Sequence, residues 1–110
     1  MQLDLLRHIN DECDFLHLSA TPRKLEEIQN DPVLSRAVVR SLEIIGEATK
    51  QLPEEFRIRY PQIDWKSIAK MRDKLIHHYS GIDYEIVYDT LQKHIPEFRA
   101  EIQRILTLEK

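Results

Sequence analysis

Four side chains that can bind phosphate or move protons lie close together in the sequence: Arg72, His77, His78 and Tyr79. A guanidinium fork can hold two phosphate oxygens and stabilise charge in a transition state. Histidine can take or give a proton near neutral pH. Because RNA supplies its own nucleophile, the 2′-hydroxyl, an arginine with one or two histidines could cut RNA without a metal. The expected products are a cyclic phosphate and a free 5′-hydroxyl, and Tyr79 could orient the phosphate or stack on a base.

Arg72 occupies an unexpected place in its helical pattern. The spacing predicts a helix from about Asp64 to Tyr79, with Ser80 and Gly81 ending it. Arg72 falls in the middle of the apolar face of that helix, where an unpaired charge is expensive to bury. The plainer interpretation is an arginine that pairs with a structural carboxylate or reaches the surface. The apolar face contains Trp65, Ile68, Ala69, Met71, Leu75, Ile76 and Tyr79.

The spacing also constrains how these groups could meet. On a regular helix, Arg72 and His77 diverge by roughly 140°, whereas Arg72 and Tyr79 share a face. Either Arg72 bends round, or a second copy of the chain completes the site. A symmetric homodimer with the two predicted motif helices facing each other would do this and would give Arg72 a polar interface.

Other chemistries find less support. His77 and His78 could be metal ligands, but adjacent residues on a helix point about 100° apart, and no other His or Cys has helical ligand spacing to them. No serine or cysteine has a recognisable nucleophile setting. We therefore expect no metal and no cofactor.

Charge is unevenly distributed along the chain. The net charge is −3, yet residues 57–82 contain six basic and two acidic side chains, and the segments on either side are acidic. Such a positive island could hold phosphates. Since a run of charge is more often a solvated face, this pattern does not establish a function.

Composition predicts the architecture that must position these residues. The 110 residues are 42% hydrophobic and include two glycines, which favours a single all-α domain over 1–110, an antiparallel bundle of four to five helices. The single cysteine, Cys13, excludes an internal disulfide, and its spacing with Leu6, Ile9 and Leu16 predicts a core residue.

Capping residues, prolines and glycines set the predicted helix boundaries. Thr21 and Pro22 suit the start of one helix, and Asp31 with Pro32 suits the start of another. Asp64 and Asp83 are predicted to cap two further helices. Gly46 lies inside a helical pattern, which indicates close approach of another backbone. We predict helices over 3–19, 23–29, 32–51, 54–60 and 64–79, and a last segment from Asp83 that is kinked or divided at His94–Pro96. No strand pattern is visible.

The chain shows no targeting signal at its start and no apolar run near the ~20 residues needed to cross a bilayer. The expected location is the cytoplasm.

Three blocks of the sequence resemble a known family. Arg72-x4-His77-x-Tyr79 is similar to the R-x4-H-x-Y motif of the HepT-like toxins of the HEPN superfamily. The blocks 41–48 (SLEIIGEA), 60–65 (YPQIDW) and 71–83 (MRDKLIHHYSGID) resemble that family's conserved runs in the same order. The similarity is strong over about 38–91 and loose at both ends.

This resemblance implies a HEPN-like helical homodimer with a composite ribonuclease site, in which Arg72 and His77 are the catalytic pair. It also implies the toxin of a type VII toxin–antitoxin system and a minimal nucleotidyltransferase antitoxin as partner. In that family the antitoxin can silence the toxin by transferring AMP to the motif tyrosine, here Tyr79. We further expect Asp73, Lys74, His78 and Tyr79 to contact the RNA substrate.

A different class of function stays open at this point. The chain could be a non-catalytic helical subunit that docks a minimal nucleotidyltransferase and positions its substrate, with the motif serving as an anion-binding or partner-binding patch. A purely structural bundle explains Arg72 poorly.

Overall fold

The computed structural model describes residues 2–77 and 81–109, and for Arg72, Ile76 and His77 it describes the backbone alone. Helices dominate this part of the chain, which confirms the predicted all-α fold. Its eight α-helices are α1 (Gln2–Ser19), α2 (Leu25–Gln29), α3 (Pro32–Gln51), α4 (Glu54–Arg59), α5 (Trp65–Ala69), α6 (Met71–Leu75), α7 (Tyr84–Asp89) and α8 (Ile95–Leu108).

Three long helices, α1, α3 and α8, form the frame of the molecule. α1 packs against both α3 and α8. The amide of Gln2, which begins α1, donates to Glu109, which follows α8, at 3.3 Å. At the opposite end, the hydroxyl of Thr21 donates to the carbonyl of Leu91 at 3.2 Å. α1 and α8 are therefore antiparallel, as the predicted bundle requires.

Apolar side chains at helical spacing explain why these helices form and pack. The predicted stripe of α1 is completely buried, including Cys13. On α3, Val38 and Ile45 are completely buried, and on α8 so are Ile102 and Ile105. Each such side chain contributes about 1.5–3 kcal/mol to the free energy of folding. The frame therefore rests on one contiguous core.

Three aspartates cap helices where the sequence predicts caps. The carboxylates of Asp31, Asp64 and Asp83 accept backbone N–H groups from the first turns of α3, α5 and α7, at 2.9, 3.1 and 3.2 Å. Each bond satisfies a donor that the helix itself leaves free. The starts of these three helices are therefore set locally by side chains that sequence inspection can recognise.

The predicted start of α2 at Thr21 and Pro22 is wrong. Both residues lie in a turn, and α2 begins at Leu25. The backbone N–H of Lys24 donates to the carboxylate of Glu27 at 2.9 Å, and this bond marks the true helix start. Thr21 instead serves the contact with Leu91 described above.

The expected distortion before Pro96 is present as a π-helical turn over Thr90–His94. The N–H of Ile95 donates to the carbonyl of Thr90, five residues back. The carbonyl of Leu91 therefore lacks its usual helical donor, and the Thr21 hydroxyl supplies one. Since Pro96 has no N–H, regular α-helical bonding fails here and a widened turn takes its place.

The predicted continuous helix over 64–79 is also wrong. The helix is interrupted at Lys70, whose ψ of 5° departs from the helical value near −42°. α6 then ends at Leu75, because the Leu75 carbonyl accepts the N–H of Asp83 at 3.1 Å. After it come two short antiparallel strands that the sequence did not predict, β1 (Ile76–His77) and β2 (Gly81–Ile82).

Candidate active site

Within the motif segment, defined here as residues 64–77 and 81–82, α5 lies against α3 at the one place where α3 lacks a side chain. A Cβ atom added to Gly46 would lie 3.3 Å from the carbonyl oxygen of Ile68 and 3.5 Å from that of Ala69. The close backbone approach predicted from the interior glycine is therefore confirmed. Any side chain at Gly46 would push α5 away from the frame.

Trp65 fixes the other side of α5. Its indole N–H donates to the carbonyl of Tyr60 at 2.9 Å. Its ring lies 6.1 Å from the ring of Phe56 and 6.2 Å, edge-on, from that of Phe98. Aromatic pairs at these separations favour such tilted geometries. The first residue of α5 is thus held by both α4 and α8.

Tyr60 is held in turn by the end of the chain. Its hydroxyl donates to the carboxylate of Glu109, and this hydrogen bond raises the pKa of the Tyr60 phenol. Arg59 lies 3.5 Å from the same carboxylate, and Gln2 donates to it. Glu109 therefore joins both ends of the described chain to the residues that lead into the motif segment.

The pairing of β1 with β2 fixes the backbone conformation at His77. Ile76 pairs with Ile82, and His77 pairs with Gly81. Gly81 has a φ of +85°, the left-handed region that glycine enters at little cost. The predicted left-handed conformation of Gly81 is thus confirmed, although it serves a strand pairing and does not cap a helix.

The two residues predicted to be catalytic stand on different elements. Arg72 lies in α6, and His77 lies in the extended backbone of β1. The roughly 140° divergence predicted for a regular helix does not apply, because the helix ends between them. The spacing of Arg72 and His77 therefore gives no reason to expect a dimer, and the homodimer stays a prediction based on the family resemblance.

The predicted substrate-binding residues fall into two groups. Asp73 and Lys74 lie on α6 with exposed side chains. His78 and Tyr79 lie outside the described residues, so their predicted roles stay predictions. An acidic and a basic side chain are therefore both presented to solvent next to Arg72 in the sequence.

Lys74 lines a groove that sequence reasoning missed. This α6–α8 groove has a volume of about 290 Å³ and lies between α5–α6 on one side and the π turn with the first part of α8 on the other. His94 of the π turn and Glu97 of α8 line the groove together with Lys74. Only Pro96, which marks a distorted turn, signals this region in the sequence. The floor of the groove includes Ile68, Met71 and Phe98.

The lysines of the positive island are available to a ligand. Lys66, Lys70 and Lys74 are exposed and form no ion pair within the described part of the chain. The pKa of Asp64 is lowered, first by its hydrogen bonds from Ser67 and further by the charges of Lys74 and Lys66. Exposed lysines without a close ion pair can attract phosphate through their charge.

The described residues contain neither a cluster of metal ligands nor a membrane-spanning helix. Among them, no three His, Cys, Asp or Glu side chains are grouped so that they could hold a metal ion. No helix within 2–77 and 81–109 is long and apolar enough to cross a membrane.

Comparison with known proteins places these residues in context. The model of the family described as "Ribonuclease HepT-like" matches residues 9–105. A protein of Caldanaerobacter subterraneus subsp. tengcongensis named "Putative RNase" is 51% identical over 96% of this chain and 94% of its own length. A protein of Methanocaldococcus jannaschii with the same designation is 45% identical over 94% of this chain and 82% of its own.

A third relative carries the family name itself. The "Probable ribonuclease HepT" of Thermococcus cleftensis is 34% identical over 93% of both chains. No solved structure shows a significant match to this chain. The family model covers most of the chain, including all of the motif segment. The chain therefore belongs to the HepT-like ribonuclease family.

Proposed function

We propose that this chain is a metal-independent endoribonuclease that acts as the toxin of a type VII toxin–antitoxin pair. The observation that carries the proposal is the family match over residues 9–105, together with an intact R-x4-H-x-Y motif inside it. Membership of this family supports endoribonuclease activity with RNA as substrate. The toxin role, the mechanism and the partner are our proposals.

Arg72 and His77 supply the two kinds of group that metal-free RNA cleavage needs. The 2′-oxygen attacks the adjacent phosphorus, and the bond from phosphorus to the 5′-oxygen breaks. His77 assists by moving a proton between the 2′-hydroxyl and the departing 5′-oxygen, either directly or with a second group. Arg72 binds the non-bridging oxygens and stabilises their growing negative charge. The products are a 2′,3′-cyclic phosphate and a 5′-hydroxyl.

The local structure is consistent with this division of roles. The exposed Lys66, Lys70 and Lys74 can attract the RNA backbone. β1 pairs with β2, so the backbone of His77 is held by the chain that returns past Gly81. A histidine on constrained backbone loses less freedom when it engages substrate. These features support the proposed site.

The proposed partner is a minimal nucleotidyltransferase that silences the toxin. It would transfer AMP from ATP to Tyr79: the phenol oxygen attacks the α-phosphate, pyrophosphate departs and the phenol proton is released. The attached AMP would add bulk and a negative charge seven residues from Arg72, at a site that binds phosphate. The proposed active form is a homodimer, in which one copy completes the site of the other.

The RNA reaction can be tested with purified chain and single-stranded RNA in the presence of a chelator. We expect cleavage that leaves a cyclic phosphate on one fragment and a 5′-hydroxyl on the other. Failure of folded, unmodified protein to cleave any RNA would contradict the proposal. It would shift support to a non-catalytic subunit that docks a nucleotidyltransferase and positions its substrate.

The regulatory step needs a separate test. The chain is co-expressed with a minimal nucleotidyltransferase, taken from the neighbouring reading frame where one is encoded there, and the mass of the chain is then measured. An added adenylyl group that is lost in Tyr79→Phe is expected. An adenylyl group that persists in Tyr79→Phe would place the modification elsewhere.

A further inference from the structure

The α6–α8 groove has the size and the lining side chains of a ligand site. Its volume of about 290 Å³ is close to the lower end for small-molecule sites and suits one nucleoside. The floor includes apolar side chains from α5, α6 and α8, on which a flat base could lie. Polar side chains form the rim.

Most of the polar side chains in this groove are already engaged. Asp64 accepts the Ser67 hydroxyl at 2.7 Å. Glu101 accepts Arg104 at 2.9 Å and Gln62 at 3.3 Å. These two carboxylates therefore serve the fold and have less capacity left for a ligand.

Three charged or titratable side chains of the groove form no hydrogen bond and no close ion pair within the described part of the chain, although the charge of Lys74 acts on Asp64. They are Lys74, His94 and Glu97. Lys74 can bind a phosphate, His94 can donate a hydrogen bond or stack on a base, and Glu97 can accept hydrogen bonds from a base edge. A cation for the backbone and an acceptor for the base, placed over an apolar floor, match the chemistry of one nucleotide.

The groove also lies at a suitable distance from the proposed chemistry. Lys74 stands on α6 and only three residues before His77, so their backbones are within about 11 Å of each other. Successive phosphates of single-stranded RNA are separated by a comparable or smaller span. A strand whose scissile phosphate is at the motif can therefore place a neighbouring nucleotide in the groove.

We propose that the α6–α8 groove is a nucleotide subsite that binds a base next to the scissile bond, with Glu97 as the specificity-determining residue. This inference rests on the proposed ribonuclease function and extends it to base preference. A carboxylate accepts from the amino groups of adenine, cytosine and guanine, whereas uracil offers only its ring N–H. The groove therefore favours amino-bearing bases over uracil at one position.

The test uses short RNAs with a single cleavable bond, in which each flanking position carries each of the four bases in turn. Wild-type protein should cleave RNAs with an amino-bearing base at one flanking position about tenfold faster than their uracil counterparts. Glu97→Gln should bring this ratio close to one while cleavage continues. Glu26→Gln, the same chemical change at an exposed position on α2, should keep the wild-type ratio.

A binding experiment separates failure of the subsite from failure of the ribonuclease. A 2′-deoxy oligonucleotide, which lacks the nucleophile, is titrated into wild-type protein and the amide NMR signals are followed. Signals of residues 90–97 should shift, and His94→Ala should weaken binding several-fold. If no RNA is cleaved but these signals shift, the ribonuclease proposal fails, and the groove is a nucleotide-binding site without a place next to a scissile bond.

Two results would overturn the subsite. One is cleavage by wild type with a base preference that Glu97→Gln leaves unchanged. The other is a titration in which the signals of residues 90–97 do not move, or move only when the nucleotidyltransferase is added. The latter result would make the groove a protein-binding surface.

Discussion

α3 continues for 20 residues without interruption, whereas the motif segment passes from helix to turn, to helix again and then to strand. The frame of α1, α3 and α8 is held by completely buried apolar side chains at regular spacing. The motif segment is held by individual contacts. They are the close approach of α5 to Gly46, the indole hydrogen bond of Trp65, the Asp64 cap and the pairing of β1 with β2. The frame therefore supplies stability, and the motif segment supplies a backbone shape that regular helices do not offer.

The largest expected effect on stability comes from shortening a buried side chain of the frame. Ile45 on α3 is completely buried. Ile45→Ala should lower the free energy of unfolding by about 3 kcal/mol, because it loses buried apolar contacts and leaves a cavity. Urea denaturation measures the change. Ile58→Ala is the matched control, since Ile58 is 67% exposed, and it should change stability by less than about 0.5 kcal/mol. Equal losses in both variants would contradict the assigned core.

Alkaline pH should also lower the stability of the frame. Burial raises the pKa of the Cys13 thiol to about 12, with the nearby Asp14 carboxylate adding to the effect. The unfolded chain ionises this thiol at lower pH, so its contribution to stability is present below pH 9 and is lost as pH rises towards 12. Between pH 9 and 11 it should account for a loss of about 2 kcal/mol.

The Cys13 contribution can be isolated by comparing wild type with Cys13→Ala across the same pH range. The variant should be less stable near pH 7 but should lose less stability between pH 9 and 11. Parallel pH profiles for the two proteins would show that Cys13 is not shielded from solvent as described.

Gly46 tests the contact between the frame and the motif segment. At an unhindered helical position, Gly→Ala stabilises a protein by up to about 1 kcal/mol. Here the new methyl group meets the Ile68 carbonyl at 3.3 Å, so Gly46→Ala should give no such gain. Gly46→Val should cost about 2 kcal/mol through overpacking. Urea denaturation and RNA cleavage are measured together.

Both Gly46 variants should reduce RNA cleavage more than their stability changes explain, because they displace α5. A Gly46→Ala protein with higher stability and full activity would show that the close approach is not functionally important.

The smallest expected effect on stability is at Gly81. Its φ of +85° is unfavourable for alanine, although a Cβ atom there would meet no other atom within 4 Å. Gly81→Ala should therefore cost about 1 kcal/mol through backbone strain alone. Gly81→Asn should cost less, because asparagine tolerates left-handed backbone better. Thermal unfolding should show that Gly81→Asn is more stable than Gly81→Ala. The reverse order would contradict this explanation.

The frame could be predicted well from the sequence. Leu6, Ile9, Cys13 and Leu16 recur at helical spacing, and all four are completely buried. Asp31 followed by Pro32 locates the start of α3 because capping depends on nearby residues only. Gly46 indicated a close backbone approach, and the Ile68 carbonyl provides it.

The motif segment was predicted less well, for a physical reason. Its apolar residues keep helical spacing as far as Tyr79 in the sequence, so periodicity alone predicts a longer helix. The helix ends at Leu75, whose carbonyl accepts a hydrogen bond from the N–H of Asp83, eight residues further along. A hydrogen bond of this kind leaves no periodic signal in the sequence. The groove is nonlocal in the same way, because Lys74 and His94, which both line it, are 20 residues apart.

We expect the motif of this HepT-like chain to cleave RNA through His77. The most direct test measures cleavage of one single-stranded RNA, with chelator present, by wild type, His77→Ala and His8→Ala. His8 is an exposed histidine on α1 and serves as the matched control. Wild type and His8→Ala should cleave equally and leave cyclic phosphate ends, while folded His77→Ala should be at least about 100-fold slower. Equal cleavage by His77→Ala and wild type would contradict the claim.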